Sequence, residues 1–174
     1  RDKYDSTPPS CTFGTVGTID TTKSANIVLT CTDDRSGLVD TTFAVSTFTL
    51  SDSSKLKINS VTKNVESSTK IKYTLSLTGL DNGDSTITLK ASQISDNATN
   101  TNSSATSQQI HVNGIFTMTL NNQSADSSTQ GTATIYELYN HGWYSNSAAT
   151  SSISSITIPK KNGYIFGGYY TSIS

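Results

Sequence analysis

Alternating apolar and polar side chains between residues 70 and 91 constrain this chain more than any other feature. The apolar positions, which recur at every second residue, are Ile71, Tyr73, Leu75, Leu77, Ile87, Leu89 and Ala91. A period of two predicts two strands, each with one buried face. The turn-rich segment between them, 79–84, holds one apolar side chain, Leu80, which we expect to close the end of the core. Because two strands cannot bury their inner faces alone, the rest of the chain must supply an opposing layer.

Strand-like segments elsewhere in the first part of the chain supply that layer. They cover residues 11–16, 25–32, 43–50, 56–61 and 106–112. About seven short strands with turn signals between them are typical of an immunoglobulin-like sandwich. Residues 1–9 are polar and end in Pro8-Pro9, which favours an extended linker. We therefore predict a linker over 1–9 and an all-β sandwich over 10–113.

A second, smaller β unit is predicted over residues 114–174. Phe116, Met118 and Leu120 alternate along one strand, and residues 132–139 alternate again, with Ile135 and Glu137 on the same side. A further strand is expected from Ile156 to Pro159, where proline removes a ladder donor. Asn162-Gly163 then predicts a tight turn.

Charge and composition narrow the function classes. Charged residues make up 14% of the chain and the net charge is −1, so electrostatics give no basis for binding nucleic acid or an anionic membrane. The abundance of Ser, Thr and Asn, the low charge and the short strands are typical of a secreted or surface protein. A chain that begins with Arg1 is typical of an excised fragment.

The two cysteines predict a covalent link between the first two strands. If these strands form a hairpin centred near residue 21, Cys11 falls opposite Cys31 and the geometry permits a disulfide, which an exported protein would form. Two buried free thiols are the alternative. Neither a further cysteine nor a neighbouring histidine completes a transition-metal ligand set.

Catalytic motifs are missing from the sequence. Its two histidines, His111 and His141, lie in different predicted units, and no nucleophile elbow, zinc-protease helix motif or phosphate-binding glycine loop occurs. We therefore predict that the chain is not an enzyme.

Oxygen-rich loops make calcium the one candidate cofactor. In a sandwich of this kind the lead-in and alternate loops gather at one pole, and here they carry Asp5, Asp33, Asp34, Asp96, Asn97 and Asn100, together with Asn64 and Glu66. Calcium takes six to eight oxygen ligands, several of them carboxylates. Ordinary loops whose Asp and Asn side chains hydrogen-bond to the backbone are the alternative interpretation.

Several motifs of the first unit resemble bacterial Ig-like repeats. They are Thr7-Pro8-Pro9, Asp33-Asp34-Arg35-Ser36-Gly37-Leu38, Leu75-Ser76-Leu77-Thr78-Gly79-Leu80 and Asp96-Asn97-Ala98-Thr99-Asn100. The last is similar to the Asp-x-Ala-Gly-Asn loop of that family, with Thr99 where glycine is usual.

The run from Ile156 to Thr171 resembles the Pro-x-Lys-x-Gly-Tyr-x-Phe-x-Gly-Trp-Tyr signature of the Listeria–Bacteroides, or internalin B-type, repeat. Tyr169 stands where tryptophan is usual. The resemblance implies a small β-grasp-like unit of a bacterial surface protein, truncated here at its C-terminus.

Together the resemblances imply non-catalytic structural or adhesive modules of an exported bacterial cell-surface protein. Such modules act as stalk, spacer or partner-binding units, beside neighbouring repeats and in contact with a host or cell-surface protein or glycan. One alternative is a carbohydrate-binding region of a surface glycan-active enzyme, with Trp143, Tyr144 and Tyr170 stacking on sugars. Another is a pilus-like subunit that exchanges strands. The aromatic cluster of the second unit, to which those three residues belong, is also compatible with a structural core, and this is the interpretation we favour.

Overall fold

The computed structural model describes residues 4–171 and is all-β, which confirms the predicted class. Between those residues the only helical element is a single 3-10 turn at Val45–Thr47. The strands are β1 (Ser10–Phe13), β2 (Ile19–Asp20), β3 (Ser24–Thr32), β4 (Phe48–Leu50), β5 (Leu56–Ser67), β6 (Lys70–Gly79), β7 (Gly83–Leu89), β8 (Thr106–Asn113), β9 (Ile115–Thr119), β10 (Thr134–Leu138) and β11 (Gly142–Tyr144). The described residues contain no helix of the length and hydropathy needed to span a membrane.

The chain divides into two compact units, Arg1–Asn113 and Gly114–Ser174. The first contains two four-stranded sheets, in the orders β1-β3-β6-β5 and β2-β8-β7-β4. Neighbouring strands run antiparallel except β2 and β8, which are parallel. The chain changes sheet between Phe13 and Ile19, and apolar side chains from both sheets form one core.

Strand β6 lies in the middle of the first sheet and confirms the alternation read from the sequence. Ile71, Tyr73, Leu75 and Leu77 are all buried on its inner face. The ring of Tyr73 stacks on that of Phe43 with centroids 4.3 Å apart, and its hydroxyl donates to the Thr41 carbonyl oxygen at 2.7 Å. Burial, with a smaller effect of the Asp40 charge, raises the pKa of Tyr73 to about 12. Each large apolar side chain buried in this way contributes about 1.5–3 kcal/mol.

The predicted disulfide between Cys11 and Cys31 is present. The two residues are directly opposite in the antiparallel pair β1–β3, with Cα atoms 4.0 Å apart. The Cys31 side chain is part of the core.

The expectation for Leu80 is wrong, because this side chain is 41% exposed. The strand alternation ends one residue earlier, at the buried Gly79, where a Cβ atom would lie only 2.9 Å from the Asp20 carbonyl oxygen. The chain then leaves the sheet, and the Leu80 amide donates to the Lys55 carbonyl oxygen at 2.8 Å.

The second unit contains a three-stranded antiparallel sheet in the order β11-β10-β9. Its buried apolar side chains among the described residues are Leu120, Ile135, Leu138 and Pro159. The turn at Asn162-Gly163 is confirmed, since the Tyr164 amide donates to the Lys161 carbonyl oxygen at 3.1 Å.

The strand expected from Ile156 to Pro159 does not form. Thr157 instead exchanges hydrogen bonds with Thr132, and Lys160 donates its amide to the Thr129 carbonyl oxygen at 3.1 Å. These contacts go to an irregular loop, so they do not continue as a ladder. Residues 172–174, where a truncated end was expected, lie outside the described residues.

The interpretation of the aromatic cluster as a core is also wrong. Tyr164 is 71% exposed and Tyr170 79% exposed, while Tyr139 and Trp143 are each more than one-third exposed. Phe166 and Tyr169 contact one another edge-on with ring centroids 5.1 Å apart. The second unit therefore presents much of its aromatic surface to solvent.

Candidate metal centre

The lead-in to the first strand is docked on the sandwich through Asp5. This carboxylate is buried and accepts the backbone amides of Thr7 at 2.9 Å and Ser36 at 3.0 Å. The main-chain carbonyl of Asp5 accepts the side-chain amide of Asn100 at 3.1 Å. Residues 4–9, which the sequence assigns to a linker, are thus held against the first unit, and residues 1–3 lie outside the described part of the chain.

Three loops of the sandwich meet where Asp5 docks. The Asp33 amide, just after β3, donates to Thr69 in the β5–β6 turn at 3.0 Å. Asn97, after β7, donates its amide to the Gly37 carbonyl oxygen at 2.8 Å. Gly37 has a φ of +83°, and a Cβ atom there would lie 2.9 Å from the Ser68 carbonyl oxygen. Only glycine therefore fits this close approach without strain.

Asp5, Asp33 and Asp34 form a carboxylate cluster at this pole. One oxygen from each lies within 4.8 Å of the others. Asp33 Oδ2 accepts the amides of Gly37 at 2.7 Å and Arg35 at 3.2 Å, whereas its buried Oδ1 has no hydrogen-bond partner among residues 4–171. The buried Ser36 hydroxyl likewise lacks a partner within that range. The carboxylate of Asp34 is exposed.

Electrostatics at the cluster favour a bound cation. Hydrogen bonds from the backbone amides of Thr7 and Ser36 lower the pKa of Asp5, so this carboxyl stays ionised at neutral pH. Three carboxylates this close repel one another. In addition, the buried Oδ1 of Asp33 accepts no hydrogen bond within the described residues, which is unfavourable. Hard oxygen ligands of this kind suit Ca²⁺ better than a transition metal.

The remaining predicted ligands support the cluster from the loop after β7. Asp96 is buried, and its Oδ1 and Oδ2 accept the backbone and side-chain amides of Asn100 at 2.8 Å and 2.7 Å. Asn97 Nδ2 donates to the Ser36 carbonyl oxygen at 3.0 Å. The carboxylate cluster therefore contains three of the six predicted ligands, and the hydrogen bonds of the other three hold the loops together.

Glu66 lies apart from the cluster. It pairs with Lys72 at 2.5 Å and with Lys70 at 3.1 Å, and hydrogen bonds from these two ammonium groups lower its pKa. Asn64, on the same strand, is exposed.

Asn102 is a structural residue that the sequence did not distinguish from its polar neighbours. It is buried, and its Oδ1 accepts the amides of Gln93 at 2.7 Å and Ile94 at 3.1 Å. Its Nδ2 donates to the carbonyl oxygens of Lys90 and Ser104. An Asn within a loop rich in Asn and Ser gives no sequence signal for such a role.

The three aromatic residues proposed to stack on sugars do not share one platform. Trp143 and Tyr144 are consecutive in β11 and so point to opposite faces of the sheet. Tyr170 lies outside the strands and donates its hydroxyl to the Gly167 carbonyl oxygen at 2.7 Å.

Neither a protein-family model, nor a curated protein, nor a solved structure matches this chain. The resemblances to Ig-like and internalin B-type repeats therefore depend on the motifs quoted above.

Proposed function

We propose that this chain consists of non-catalytic structural and adhesive β modules of an exported bacterial cell-surface protein, the first of which binds calcium at Asp5, Asp33 and Asp34. The observation that carries the proposal is the meeting of a carboxylate from the lead-in with two from a loop of the sandwich. A cation held there links the entering chain to the module and fixes the direction in which it enters.

The strand order supports an Ig-like first module. Sheets β1-β3-β6-β5 and β8-β7-β4 follow the ABED and GFC orders of constant-type Ig domains, and β2 adds a short parallel strand beside β8. The disulfide joins two strands of one sheet rather than the two sheets, unlike that of antibody domains. Disulfides persist in oxidising compartments, which supports export.

Exposed aromatic surface supports an adhesive role for the second module. Large exposed apolar areas on a soluble domain mark contact sites. Tyr164 and Tyr170 lie within the signature run of the internalin B-type repeat and are mostly exposed. This surface suits three kinds of partner, which are a neighbouring repeat, a host or cell-surface protein, and a glycan.

Calcium binding is tested by thermal unfolding of the chelated protein, followed by circular dichroism, with and without CaCl₂. At a free calcium concentration of about ten times Kd, the folded state gains about 1.4 kcal/mol and the Tm rises by roughly 6 °C. Asp34→Asn removes one carboxylate that makes no hydrogen bond among the described residues, so it abolishes the rise without lowering the Tm of the chelated protein.

Asp84→Asn is the matched control, since it removes an equal charge from the cross-strand pair with His111. This variant retains the full response to calcium. An unchanged Tm on adding millimolar calcium to the unsubstituted protein contradicts the proposal.

A carbohydrate-binding role is the second candidate. A cleft in the second unit combines the aromatic side chains of Tyr164 and Phe166 with the amides of Asn121 and Asn122, a mixture that suits sugar rings and hydroxyls. Glycan-array binding that is lost in Tyr164→Ala or Phe166→Ala, which change the two aromatic side chains of the cleft, supports this role. The pilus-like alternative stays a prediction, and polymer formation in solution tests it.

A further inference from the structure

One face of the three-stranded sheet carries a row of side chains that the disulfide, the carboxylate cluster and the signature run do not involve. Glu137 is directly opposite Phe116 on β9 and directly opposite Trp143 on β11. Residues paired in this way point to the same face, so a carboxylate lies between two aromatic side chains. With strands about 4.8 Å apart, the row is about 10 Å long.

Exposed apolar surface surrounds this carboxylate. Phe116 is 45% exposed and Trp143 38% exposed. Met118 lies two residues along β9 from Phe116, is 43% exposed, and is opposite the buried Ile135. We call Phe116, Met118, Glu137 and Trp143 the Glu137 patch.

Glu137 lacks a partner within the described part of the chain. Its side chain is half-buried, and no hydrogen bond or ion pair to it is found among residues 4–171. A carboxylate that lies between two aromatic side chains, with no donor among the described residues, is open to pairing with a cationic ligand. The adjacent aromatic side chains favour the same charge, because the face of an aromatic ring attracts cations.

Among cations, the arginine side chain fits this row best. Its planar guanidinium donates two parallel hydrogen bonds to a carboxylate and also stacks on aromatic faces, whereas an ammonium is a compact, strongly hydrated charge. The apolar surface at Met118 and Phe116 suits hydrophobic residues beside that arginine. Trp and Arg are also both enriched among the residues that contribute most to binding energy in protein interfaces.

We propose that the Glu137 patch binds an arginine side chain of a partner polypeptide, with Glu137 pairing the guanidinium between Phe116 and Trp143. This interaction is separate from calcium binding by the first unit and does not depend on it. It gives the second unit a specific contact in place of a general adhesive surface.

Trp143 provides the assay, because it is the single tryptophan of the chain. The whole chain is titrated with a blocked pentapeptide, Ala-Leu-Arg-Leu-Ala, while tryptophan emission is recorded. Matched peptides replace arginine with lysine, citrulline or norleucine. We expect a saturable change with the arginine peptide, weaker binding of the lysine peptide, and no binding of the neutral two.

Glu137→Gln lowers the affinity for the arginine peptide about tenfold or more, since a charge-assisted hydrogen-bonded pair is lost. Glu66→Gln, the other glutamate of the chain, leaves the affinity unchanged. Tyr144→Ala on the opposite face also leaves it unchanged, and circular dichroism establishes that each variant is folded. Raising the salt concentration weakens binding of the arginine peptide.

Four outcomes overturn the proposal. One is the absence of a saturable change with the arginine peptide at millimolar concentration, and another is equal binding of the citrulline peptide. A third is a neutral oligosaccharide that shifts the emission equally in the unsubstituted protein and in Glu137→Gln, which identifies a glycan surface. The last is concentration-dependent dimerisation lost in Glu137→Gln, which identifies a second copy of this chain as the occupant.

Discussion

The side-chain amide of Asn100 donates a hydrogen bond to the main-chain carbonyl of Asp5 at 3.1 Å, across 95 positions of sequence. The same amide donates to Asp96, and the Asp5 carboxylate accepts the amide of Ser36. The lead-in, the loop after β3 and the loop after β7 are therefore joined through one asparagine. Calcium would bind to an arrangement that hydrogen bonds already hold together.

Replacing Asn100 with alanine should release the lead-in. The substitution removes donors to Asp5 and Asp96, so the free energy of unfolding falls by about 1–3 kcal/mol. The backbone amides of Thr7 and Ser36 donate to the Asp5 carboxylate, so their hydrogen exchange becomes faster in the variant. Asn64→Ala, at an exposed position, is the control and changes stability by less than about 0.5 kcal/mol. Unaltered exchange at Thr7 and Ser36 in the Asn100 variant argues against this role.

Asn102→Ala should cost more than Asn100→Ala. It leaves four main-chain groups around the buried side chain without their partner, at Gln93, Ile94, Lys90 and Ser104. We expect the free energy of unfolding, measured by urea denaturation, to fall by about 3 kcal/mol or more. A loss no greater than that of Asn64→Ala would show that water replaces these bonds.

Removing the disulfide tests the pairing of β1 with β3. The bond closes a loop with a sequence separation of 20, and the loop-entropy estimate gives about 3 kcal/mol of stability. The double variant Cys11→Ala, Cys31→Ala should unfold at a correspondingly lower urea concentration. In the unsubstituted protein, thiol titration under denaturant detects no free thiol before reduction and two afterwards. Thiols that react before reduction contradict the bond.

Tyr73 makes stability fall at alkaline pH. Its pKa is raised to about 12 in the folded state, while the unfolded state loses the same proton near pH 10. Below pH 10 both states keep the proton, and between about pH 10 and 12 the free energy of unfolding declines by at most about 1.4 kcal/mol per pH unit from this group. Tyr73→Phe removes this contribution, so its curve of stability against pH is flatter over that window than that of the unsubstituted protein. If the stability–pH curves of the two proteins are parallel over this window, groups other than Tyr73 cause the loss of stability at alkaline pH.

Strand pairing in the first unit was the most predictable part of the molecule. The alternation at Ile71 to Leu77 is a direct consequence of one buried face, and the hairpin estimate put Cys11 opposite Cys31, which is the observed register. The first depends on local periodicity and the second on the position of a single turn, and sequence records both directly. The sequence did not reveal that residues 19–20 cross to the other sheet within that connection.

Long-range and weakly periodic features were not predictable in the same way. Leu80 is exposed because the chain leaves the sheet after Gly79, a position fixed by contact with Asp20 and Val112 far away in sequence. The carboxylates of Asp5, Asp33 and Asp34 lie within 4.8 Å of one another, whereas Asp96 pairs with Asn100, and that pairing depends on loop conformation. In the second unit, aromatic content alone did not distinguish a core from an exposed surface.

The covalent bond between Cys11 and Cys31 also determines how the first module would respond to tension. Force applied to the lead-in is transmitted from β1 directly to β3 through the disulfide. The intervening segment of about 20 residues therefore cannot be extended. That segment would otherwise add about 70 Å of extended chain. A stalk built from such a module would lengthen less under shear than the number of its residues implies.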